Sequence, residues 1–189
     1  RTNQMAVQRP PDSASSSGHD GVLGARTFDG ARLQFDFAAT QLRIDSNANR
    51  APLANPLDTN FRHGIFAHVP ISIAGVAATA VVDTGARRSV ANRALRQALG
   101  FTESDARLRE VEPIGGATAH TTPTVAGDVT PVILGAHDYG ALELAFADIS
   151  VFGALQLTGA PALILGLDIL RRAQSLTLDY TSQQVAILA

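Results

Sequence analysis

The sequence predicts a mostly β fold with one or two short helices. Its apolar residues fall in many short runs separated by turns that contain Gly or Pro. Several of these runs alternate apolar and polar residues, as a half-buried strand does. Residues 89–99 show the clearest helical pattern. The hydrophobic fraction of 46% in 189 residues is enough for a sizeable core.

The first part of the chain divides into three segments. Residues 1–20 are expected to form a flexible polar segment, because their Ser-rich part lacks the apolar residues that packing requires. Residues 32–44 alternate apolar and polar side chains in two runs around Ala-Ala-Thr-Gln, which predicts a β-hairpin. Residues 46–60 are rich in Asn and Pro and are expected to be a linker.

Residues 61–189 form the predicted main domain. Two apolar runs, residues 66–73 and 77–82, flank an Ala-Gly turn and predict a second hairpin that leads into Asp83.

A helix is predicted over residues 89–99, with Ser89 as its candidate N-cap and Gly100 as its stop. Several short strands are predicted after this helix. They cover residues 111–114, 125–134, 142–146 and 149–157.

The chain also repeats itself. Residues 22–24 (Val-Leu-Gly) precede a short helical stretch and the first hairpin, and residues 164–166 (Ile-Leu-Gly) precede a similar pair of elements. With one residue inserted in the second copy, Asp36 aligns with Asp179 and the two hairpins coincide. Two hairpins can also resemble each other by chance. The preferred interpretation is that residues 21–45 are a β-hairpin remnant, the end of a preceding homologous lobe.

Asp83 differs from the other carboxylates in its surroundings. It follows an apolar strand and precedes Thr84, Gly85 and Ala86, which predict a tight turn at the strand end. A carboxylate in this place is expected to be half-wrapped by apolar neighbours while remaining within reach of a ligand. An Asp that only stabilises a β-turn fits the same tripeptide.

A second motif favours a functional role for Asp83 over a role in the turn alone. Residues 162–170 form an apolar strand that ends at Leu165, followed by Gly166 and a short helix. In this order, apolar-apolar-Asp-Thr-Gly-Ala and apolar-apolar-Gly-X-Asp-X-Leu resemble the paired signatures of retropepsin-like aspartic proteases of the bacterial type, single-lobed or tandem-lobed. The resemblance covers roughly residues 61–189 and implies a closed β-barrel of the acid-protease fold.

The resemblance implies a role for each matching position. Asp83 matches the catalytic Asp, and Thr84 matches the Thr whose hydroxyl ties two catalytic turns together. Gly85 matches the Gly that lets substrate backbone approach, and Ala86 completes the turn.

Two further parts of the site are implied in the same way. Leu165 and Gly166 match the strand end that supports the catalytic turn. A hairpin flap that closes over bound peptide is expected within residues 111–119, although an ordinary surface hairpin fits the same segment. The flap residues would be Ile114, Gly115, Gly116 and Ala117.

One departure from the family pattern concerns charge. Retroviral members usually have an acidic residue after the first motif that pairs with an Arg after the later Gly. Here Arg87 and Arg88 stand after the first motif, and Leu167 stands after the later Gly. Asp168 could pair with either arginine and so reverse the polarity of the pair, and two solvated arginines are the alternative.

The resemblance implies an aspartic endopeptidase, in which a water molecule is activated between two Asp carboxylates. The sequence contains one Asp-Thr-Gly and no Asp-Ser-Gly. The second carboxylate is therefore expected from a homodimer partner or from a missing first lobe. A catalytically silent dimerisation or peptide-binding module is the alternative function, and a β-barrel binding domain unrelated to proteases is a third.

Composition argues against several other chemistries. The absence of Cys excludes thiolate zinc sites, disulfides and Cys nucleophiles, and the five His show no metal-ligand spacing. No cofactor or metal is expected, and the expected partner is a peptide or protein substrate. A net charge of -2 gives no reason to expect nucleic acid. No apolar run approaches the roughly 20 residues that a membrane-spanning helix needs.

Two further expectations concern the compartment and the source of the chain. The chain starts at Arg1 without Met, so an N-terminal piece is expected to have been removed or left out. Periplasm or cell envelope is mildly preferred over cytoplasm, and the Ala-, Gly- and Leu-rich composition favours a bacterial source.

Overall fold

A computed structural model describes residues 7–8, 22–47, 49–115 and 121–188 as sixteen short strands, three α-helices and one 3-10 helix. The strands are β1 (Val7–Gln8), β2 (Val22–Leu23), β3 (Arg32–Asp36), β4 (Gln41–Asp45), β5 (Asn60–Arg62), β6 (Phe66–Ile73), β7 (Val76–Val82), β8 (Val90–Ala91), β9 (Arg109–Gly115), β10 (Thr121–Val129), β11 (Val132–Leu134), β12 (His137–Asp138), β13 (Leu142–Phe146), β14 (Ala162–Leu165), β15 (Ser175–Asp179) and β16 (Gln184–Leu188). The helices are the 3-10 helix Ala25–Phe28, α1 (Arg93–Ala98), α2 (Ser150–Ala154) and α3 (Leu167–Leu170).

Most strands belong to a ten-stranded main sheet. Its order is β12-β11-β6-β7-β14-β8-β13-β10-β9, with β5 added to β6. β14 lies between β7 and β8, parallel to β7 and antiparallel to β8. All four residues of β14 are buried, as expected for a strand paired on both edges in the middle of a sheet.

A second, four-stranded sheet packs against the first. This hairpin sheet has the order β16-β15-β3-β4. A separate two-stranded pair is formed by β1 and β2. Leu33 and Leu176 of the hairpin sheet share one buried cluster with Ile73 and Leu134 of the main sheet. The core therefore lies between the two sheets.

The predicted mostly β fold is confirmed, but its predicted closure into a barrel needs correction. Within the described ranges the main sheet is open, because β12 and β9 lie at its two ends and do not pair. The hairpin sheet covers the core from outside the main sheet, so the apolar side chains are buried without a closed ring of hydrogen bonds. Three short α-helices are present where one or two were predicted.

Both predicted hairpins are confirmed. β3 pairs with β4 and β6 with β7, both antiparallel. The turn between β6 and β7 has positive φ at Ala74 (49°) and at Gly75 (82°). Two successive left-handed residues define a turn whose twist matches that of the flanking strands, and Gly adopts this conformation without strain.

The first α-helix is shorter than predicted and has a different cap. Asn92, not Ser89, caps α1, and its side-chain oxygen accepts a hydrogen bond from the Leu95 N–H. The helix ends as predicted at Gly100, which has φ +77°. Ser89 precedes strand β8 instead, because its hydroxyl is used in a tertiary contact described below.

The strand predicted over residues 149–157 is wrong, because the middle of this segment is helix α2. Phe152 in α2 and Leu155 directly after it are three positions apart and both buried, which is the spacing of a helical face. A short apolar run does not distinguish a strand from a buried helix by itself.

The segments outside the main domain are tied to it to different extents. Apart from β1, residues 1–20 lie outside the described residues. The described residues between β4 and β5 contain no strand or helix. They are held by the Arg50 side chain, which donates to the Gly30 carbonyl, and by the Leu57 N–H, which donates to the Val185 carbonyl.

None of the helices in the described part of the chain is long and apolar enough to cross a membrane.

A buried carboxylate joins the two hairpins of the hairpin sheet. Asp179 is 1% exposed, and Arg32 donates to it at 2.7 and 3.0 Å. Burial favours a higher pKa for Asp179. The hydrogen bonds from Arg32 and from the Ser182 and Thr181 backbone, together with the nearby Arg50 charge, outweigh it and lower this pKa to about 2.

We expect this carboxylate to make the unfolding free energy depend on pH in the acid range. A depressed pKa stabilises the fold above the unfolded-state value near 3.8, and this stabilisation is lost as the pH falls through about 2. Asp179→Asn should therefore be destabilised relative to the wild type at pH 5, and the gap should shrink between pH 4 and pH 2. Urea unfolding of both proteins across this range measures the gap, and a gap independent of pH would contradict the assignment.

Candidate active site

Asp83 stands directly after β7, where the strand leaves the centre of the main sheet. β7 and β14 run parallel, with Val82 opposite Leu165, and the Asp83 N–H donates to the Leu165 carbonyl at 3.0 Å. The last hydrogen bond of this strand pair thus holds the backbone of Asp83 itself.

The residues after Asp83 form the predicted turn. The Ala86 N–H donates to the Asp83 carbonyl at 3.2 Å, and the Gly85 N–H donates to Oδ1 of the Asp83 side chain at 2.9 Å. A Cβ at Gly85 would lie 3.2 Å from this same oxygen, so Gly leaves room for the carboxylate. Asp83 is exposed in the described chain, which corrects the expectation that apolar neighbours half-wrap it.

Thr84 is half-buried beside the carboxylate. Within the residues that the structure describes, its hydroxyl donates to no group. The tie between two catalytic turns that the resemblance implies for Thr84 would need a second turn outside this lobe.

Leu165 and Gly166 lie against the turn that follows Asp83. Leu165 is fully buried. The N–H groups of Leu167 and Asp168, which follow Gly166, donate to the carbonyls of Ala86 and Arg87 at 2.8 and 3.2 Å. Gly166 is in even closer contact. A Cβ at this position would lie 2.8 Å from the Ala86 carbonyl oxygen and 2.8 Å from the Arg88 carbonyl carbon.

A polar network that includes Ser89 fastens the far end of the turn. The Ser89 hydroxyl donates to Asp168 at 2.6 Å and accepts from the Gly166 N–H at 2.9 Å. The Ser89 N–H also donates to the Asp168 carboxylate, at 2.9 Å. Ser89 thus joins the segment after Asp83 to the strand end that supports it.

The predicted pairing of Asp168 with Arg87 or Arg88 is wrong. Arg88 pairs with Glu143 at 2.8 Å, and Arg87 lies 3.9 Å from Glu112, with both side chains of this second pair largely exposed. Asp168 takes its hydrogen bonds from Ser89 and from backbone N–H groups. Sequence reasoning assigned Ser89 to the helix cap, and no local pattern could have indicated a partner 79 positions away.

We expect Ser89→Ala to lower the unfolding free energy by about 2 kcal/mol, because it leaves the buried Gly166 N–H without its acceptor. Arg87→Ala should change this free energy by less than about 0.5 kcal/mol, since the Arg87 side chain is exposed and does not contact Asp168. Thermal or urea unfolding compares the two variants. A larger cost for Arg87→Ala than for Ser89→Ala would restore the ion-pair hypothesis.

The segment predicted to be the flap forms a hairpin of β9 and β10, with Gly115 opposite Thr121. Ile114 and Ala86 are both partly buried against the same apolar cluster, so the base of this hairpin packs beside the Asp83 turn. The Ile114 N–H donates to the Thr124 hydroxyl at 3.1 Å. Gly116 and Ala117 lie outside the described residues.

Metal-binding groups and cavities are the other features that can form a site. No group of three His, Asp or Glu side chains in the described ranges is placed to hold a metal ion. A cavity of about 440 Å³ lies between the β9–β10 hairpin and α1, lined among others by Arg96, Glu110 and Phe146, but Asp83 is not among its lining residues. The described carboxylate site is therefore a single Asp on a supported turn.

Comparison with known proteins agrees with the two motifs. A family model described as aspartyl protease matches residues 69–169, which is more than half of the chain. The search of curated proteins found no match to this chain. Among solved structures, the chain is similar to EIAV protease complexed with the inhibitor HBY-793, with 22% identity, a TM-score of 0.46, and coverage of 60% of this chain and 92% of that one.

Two further solved structures are similar to this chain. A retropepsin-like aspartic protease from Rickettsia conorii has 14% identity and a TM-score of 0.48, and the match covers 67% of this chain and 84% of that one. The retroviral protease-like domain of Ddi1 from Leishmania major has 22% identity and a TM-score of 0.37, with coverage of 65% and 92%.

Proposed function

This chain belongs to the aspartyl protease family, and from that premise we propose that it is an endopeptidase that hydrolyses peptide bonds with a water molecule held between two aspartate carboxylates. The matched residues 69–169 include the first motif and all of the second except its last residue, Leu170, so the family resemblance is confirmed. Asp83 supplies one carboxylate of the proposed pair.

The observation that supports this role most directly is the way Asp83 is held. Its backbone is fixed to Leu165 and its Oδ1 to the Gly85 N–H, while the carboxylate faces solvent. A side chain that is fixed on one side and open on the other can orient a water molecule without rearranging. Such preorganised geometry is what acid–base catalysis requires.

Two carboxyl groups placed side by side share one proton, because two adjacent negative charges repel each other. The ionised member accepts a proton from the water as it attacks the peptide carbonyl. The protonated member donates a hydrogen bond to the carbonyl oxygen, where negative charge develops. Neither role needs a covalent intermediate.

The remaining site residues act by position in this proposal. Gly85 leaves space for the substrate backbone, and the hairpin that carries Ile114 and Gly115 covers the bound peptide. The Thr84 hydroxyl bonds the second catalytic turn. This turn comes with the second carboxylate, from a dimer partner or from another lobe.

Cleavage of an unstructured protein such as casein at acid pH tests the proposal. We expect Asp83→Asn to reduce the rate on the order of a thousandfold or more, because an amide cannot accept the proton of the attacking water. Asp29→Asn is the matched control, since Asp29 is exposed and its side chain makes no hydrogen bond in the described part of the chain. Cleavage that survives Asp83→Asn would refute the assignment.

The same assay addresses the alternative function. A folded protein that binds peptide but cleaves nothing, alone or in the two-lobed arrangement described below, would be a silent dimerisation or peptide-binding module.

A further inference from the structure

Residues 22–45 and 164–188 share one order of elements, which is a strand end, a Gly, a short helix and a β-hairpin. The 3-10 helix Ala25–Phe28 follows Gly24 directly, as α3 follows Gly166, and a five-residue-by-five-residue hairpin comes next in both copies. The agreement extends to the backbone angles of the hairpin turns. Thr40 has φ 54° and its counterpart Gln183 has φ 53°.

The turns also share a side-chain hydrogen bond. Oδ1 of Asp36 accepts from the Ala39 N–H at 2.9 Å, and Oδ1 of Asp179 accepts from the Ser182 N–H at 3.2 Å, three residues on in both cases. Chance resemblance between two hairpins does not account for this agreement in helix position, turn angle and hydrogen bond.

The two copies are related by a local two-fold axis. β3 and β15 pair antiparallel, with Leu33 opposite Leu178 and Phe35 opposite Leu176. Since Leu33 corresponds to Leu176 and Phe35 to Leu178, the pairing is unchanged when the copies are exchanged. The axis passes between Gln34 and Thr177.

Two backbone hydrogen bonds outside this ladder obey the same symmetry. The Phe37 N–H donates to the Gln174 carbonyl at 2.9 Å, and the Tyr180 N–H donates to the Ala31 carbonyl at 3.0 Å. Exchanging the copies converts one of these bonds into the other.

Burial does not obey the symmetry. Val185 and Ile187 of β16 are 0% and 9% exposed because they pack on the main sheet, whereas their counterparts in β4, Leu42 and Ile44, are 48% and 57% exposed. All four lie on one face of the hairpin sheet, since residues opposite each other in a ladder share a face. Only half of this apolar face is covered.

The same asymmetry appears at the strand end. Leu165 is fully buried under the Asp83 turn, and its counterpart Leu23 is 53% exposed. A Cβ at Gly166 would meet backbone atoms at 2.8 Å, and a Cβ at Gly24 would meet nothing within 4 Å. β14 is paired on both edges, while β2 pairs only with β1 within the described ranges.

We propose that Leu23, Gly24, Leu42 and Ile44 form a docking surface for a second aspartic protease lobe. This lobe has the fold of residues 61–163 and takes β2, the 3-10 helix and the β3–β4 hairpin as its own C-terminal part. Because Leu23 corresponds to Leu165, the N–H of the catalytic aspartate of this lobe then donates to the Leu23 carbonyl, as the Asp83 N–H donates to the Leu165 carbonyl. That last point rests on the proposed function, whereas the docking surface does not.

A second copy of this chain does not fit the surface. In every copy, residues 61–163 already carry β14, α3 and the β15–β16 hairpin in the place that β2–β4 would have to occupy. A symmetric dimer built on β15 would also have to break the five-residue ladder between β15 and β3. The occupant is therefore a separate lobe to which β2–β4 belong in sequence.

Cysteine labelling tests the surface, because the chain contains no Cys and a single substitution gives a unique probe. The probe is Ile44→Cys. The control is Leu188→Cys, which is 56% exposed and points away from the core because it follows the buried Ile187 in a strand. Both are placed in the full chain and in a tandem protein in which a second copy of residues 61–163 replaces residues 1–21 ahead of Val22.

In the full chain we expect maleimide to label both cysteines at similar rates. In the tandem protein, labelling of Ile44→Cys should slow by about tenfold or more, while labelling of Leu188→Cys should not change. The tandem should have the mass of a monomer in solution. Equal labelling of Ile44→Cys in both proteins, or a tandem that aggregates while the full chain folds, would overturn the docking surface. Concentration-dependent protection of Ile44→Cys in the full chain, with a dimer mass, would overturn it in favour of a second copy.

Casein cleavage by the tandem separates this inference from the proposed function. Protection of Ile44→Cys without cleavage leaves the docking surface in place and removes the protease assignment. Cleavage that depends on both catalytic aspartates, with Ile44→Cys still labelled freely, supports the function and overturns the docking surface.

Discussion

Replacing Gly166 by Ala should lower the free energy of unfolding by about 3 kcal/mol, the upper end of the usual cost of overpacking. The added Cβ would lie 2.8 Å from the Ala86 oxygen and 2.8 and 2.9 Å from the Arg88 carbonyl carbon and oxygen. All of these are backbone atoms, which cannot rotate away as the tip of a flexible side chain can. Either the turn or the strand end must move.

The same movement should remove most of the proposed proteolytic activity. Ala86 is hydrogen-bonded to the Asp83 carbonyl, so a shift of Ala86 is transmitted to the carboxylate. A catalytic group displaced by about 1 Å can lose a hundredfold in rate. Thermal unfolding should register the stability change as a drop of roughly 6–12 °C in Tm for a chain of this size.

Gly24→Ala is the matched control, because Gly24 occupies the corresponding place in the repeat and an added Cβ there meets nothing within 4 Å. In this chain we expect its effect on the unfolding free energy to be within about 0.5 kcal/mol. Equal effects at the two positions would show that the contacts of Gly166 do not control this part of the fold.

Asn92→Ala should cost about 3–5 kcal/mol of unfolding free energy, because it removes a buried side chain whose hydrogen bonds are all satisfied. The Asn92 amide nitrogen donates to the carbonyls of Leu157 and Ala160 at 2.7 and 2.8 Å. Its oxygen accepts from the N–H groups of Leu95 and Ala162 at 2.8 and 3.2 Å. One side chain thus caps α1 and also anchors the chain before and at the start of β14.

Asn92→Asp separates these two tasks. Aspartate keeps the acceptor for the Leu95 N–H but places a second oxygen against the Leu157 and Ala160 carbonyls. We expect it to be destabilised as much as Asn92→Ala, whereas a residue needed only as a helix cap would tolerate Asp. Urea unfolding of both variants gives the comparison, with Asn60→Ala as a neutral reference, because Asn60 is exposed and its side chain makes no hydrogen bond in the described part of the chain.

The sequence predicted those parts of the structure that depend on local pattern. Alternation of apolar residues, combined with an Ala-Gly turn of positive φ, is enough to define the β6–β7 hairpin, because each strand residue faces one side of the sheet. The positions of Asp83 and Gly166 at strand ends depend on local pattern in the same way, since each lies in a short motif. The Gly100 stop of α1 also depends on one residue and its conformation.

The features that depend on contacts between distant segments could not be predicted in this way. Ser89 and Asn92 are both good helix caps by residue type, and only the position of Gly166 shows that the Ser89 hydroxyl is used there. The helical conformation of residues 150–154 likewise depends on where Phe152 is buried. Whether the main sheet closes depends on strand ends that are far apart in sequence.

The ladder between β3 and β15 has a consequence for how the protein is made. Its two strands are separated by more than 130 residues of chain, so β3 leaves the ribosome long before its partner exists. At roughly 5–20 residues per second, β3 waits about 7–30 s with Leu33 and Phe35 uncovered. Closing so long a loop also slows folding in solution, because its entropy is lost before the contacts form. The hairpin sheet should therefore be among the last parts of the molecule to assemble.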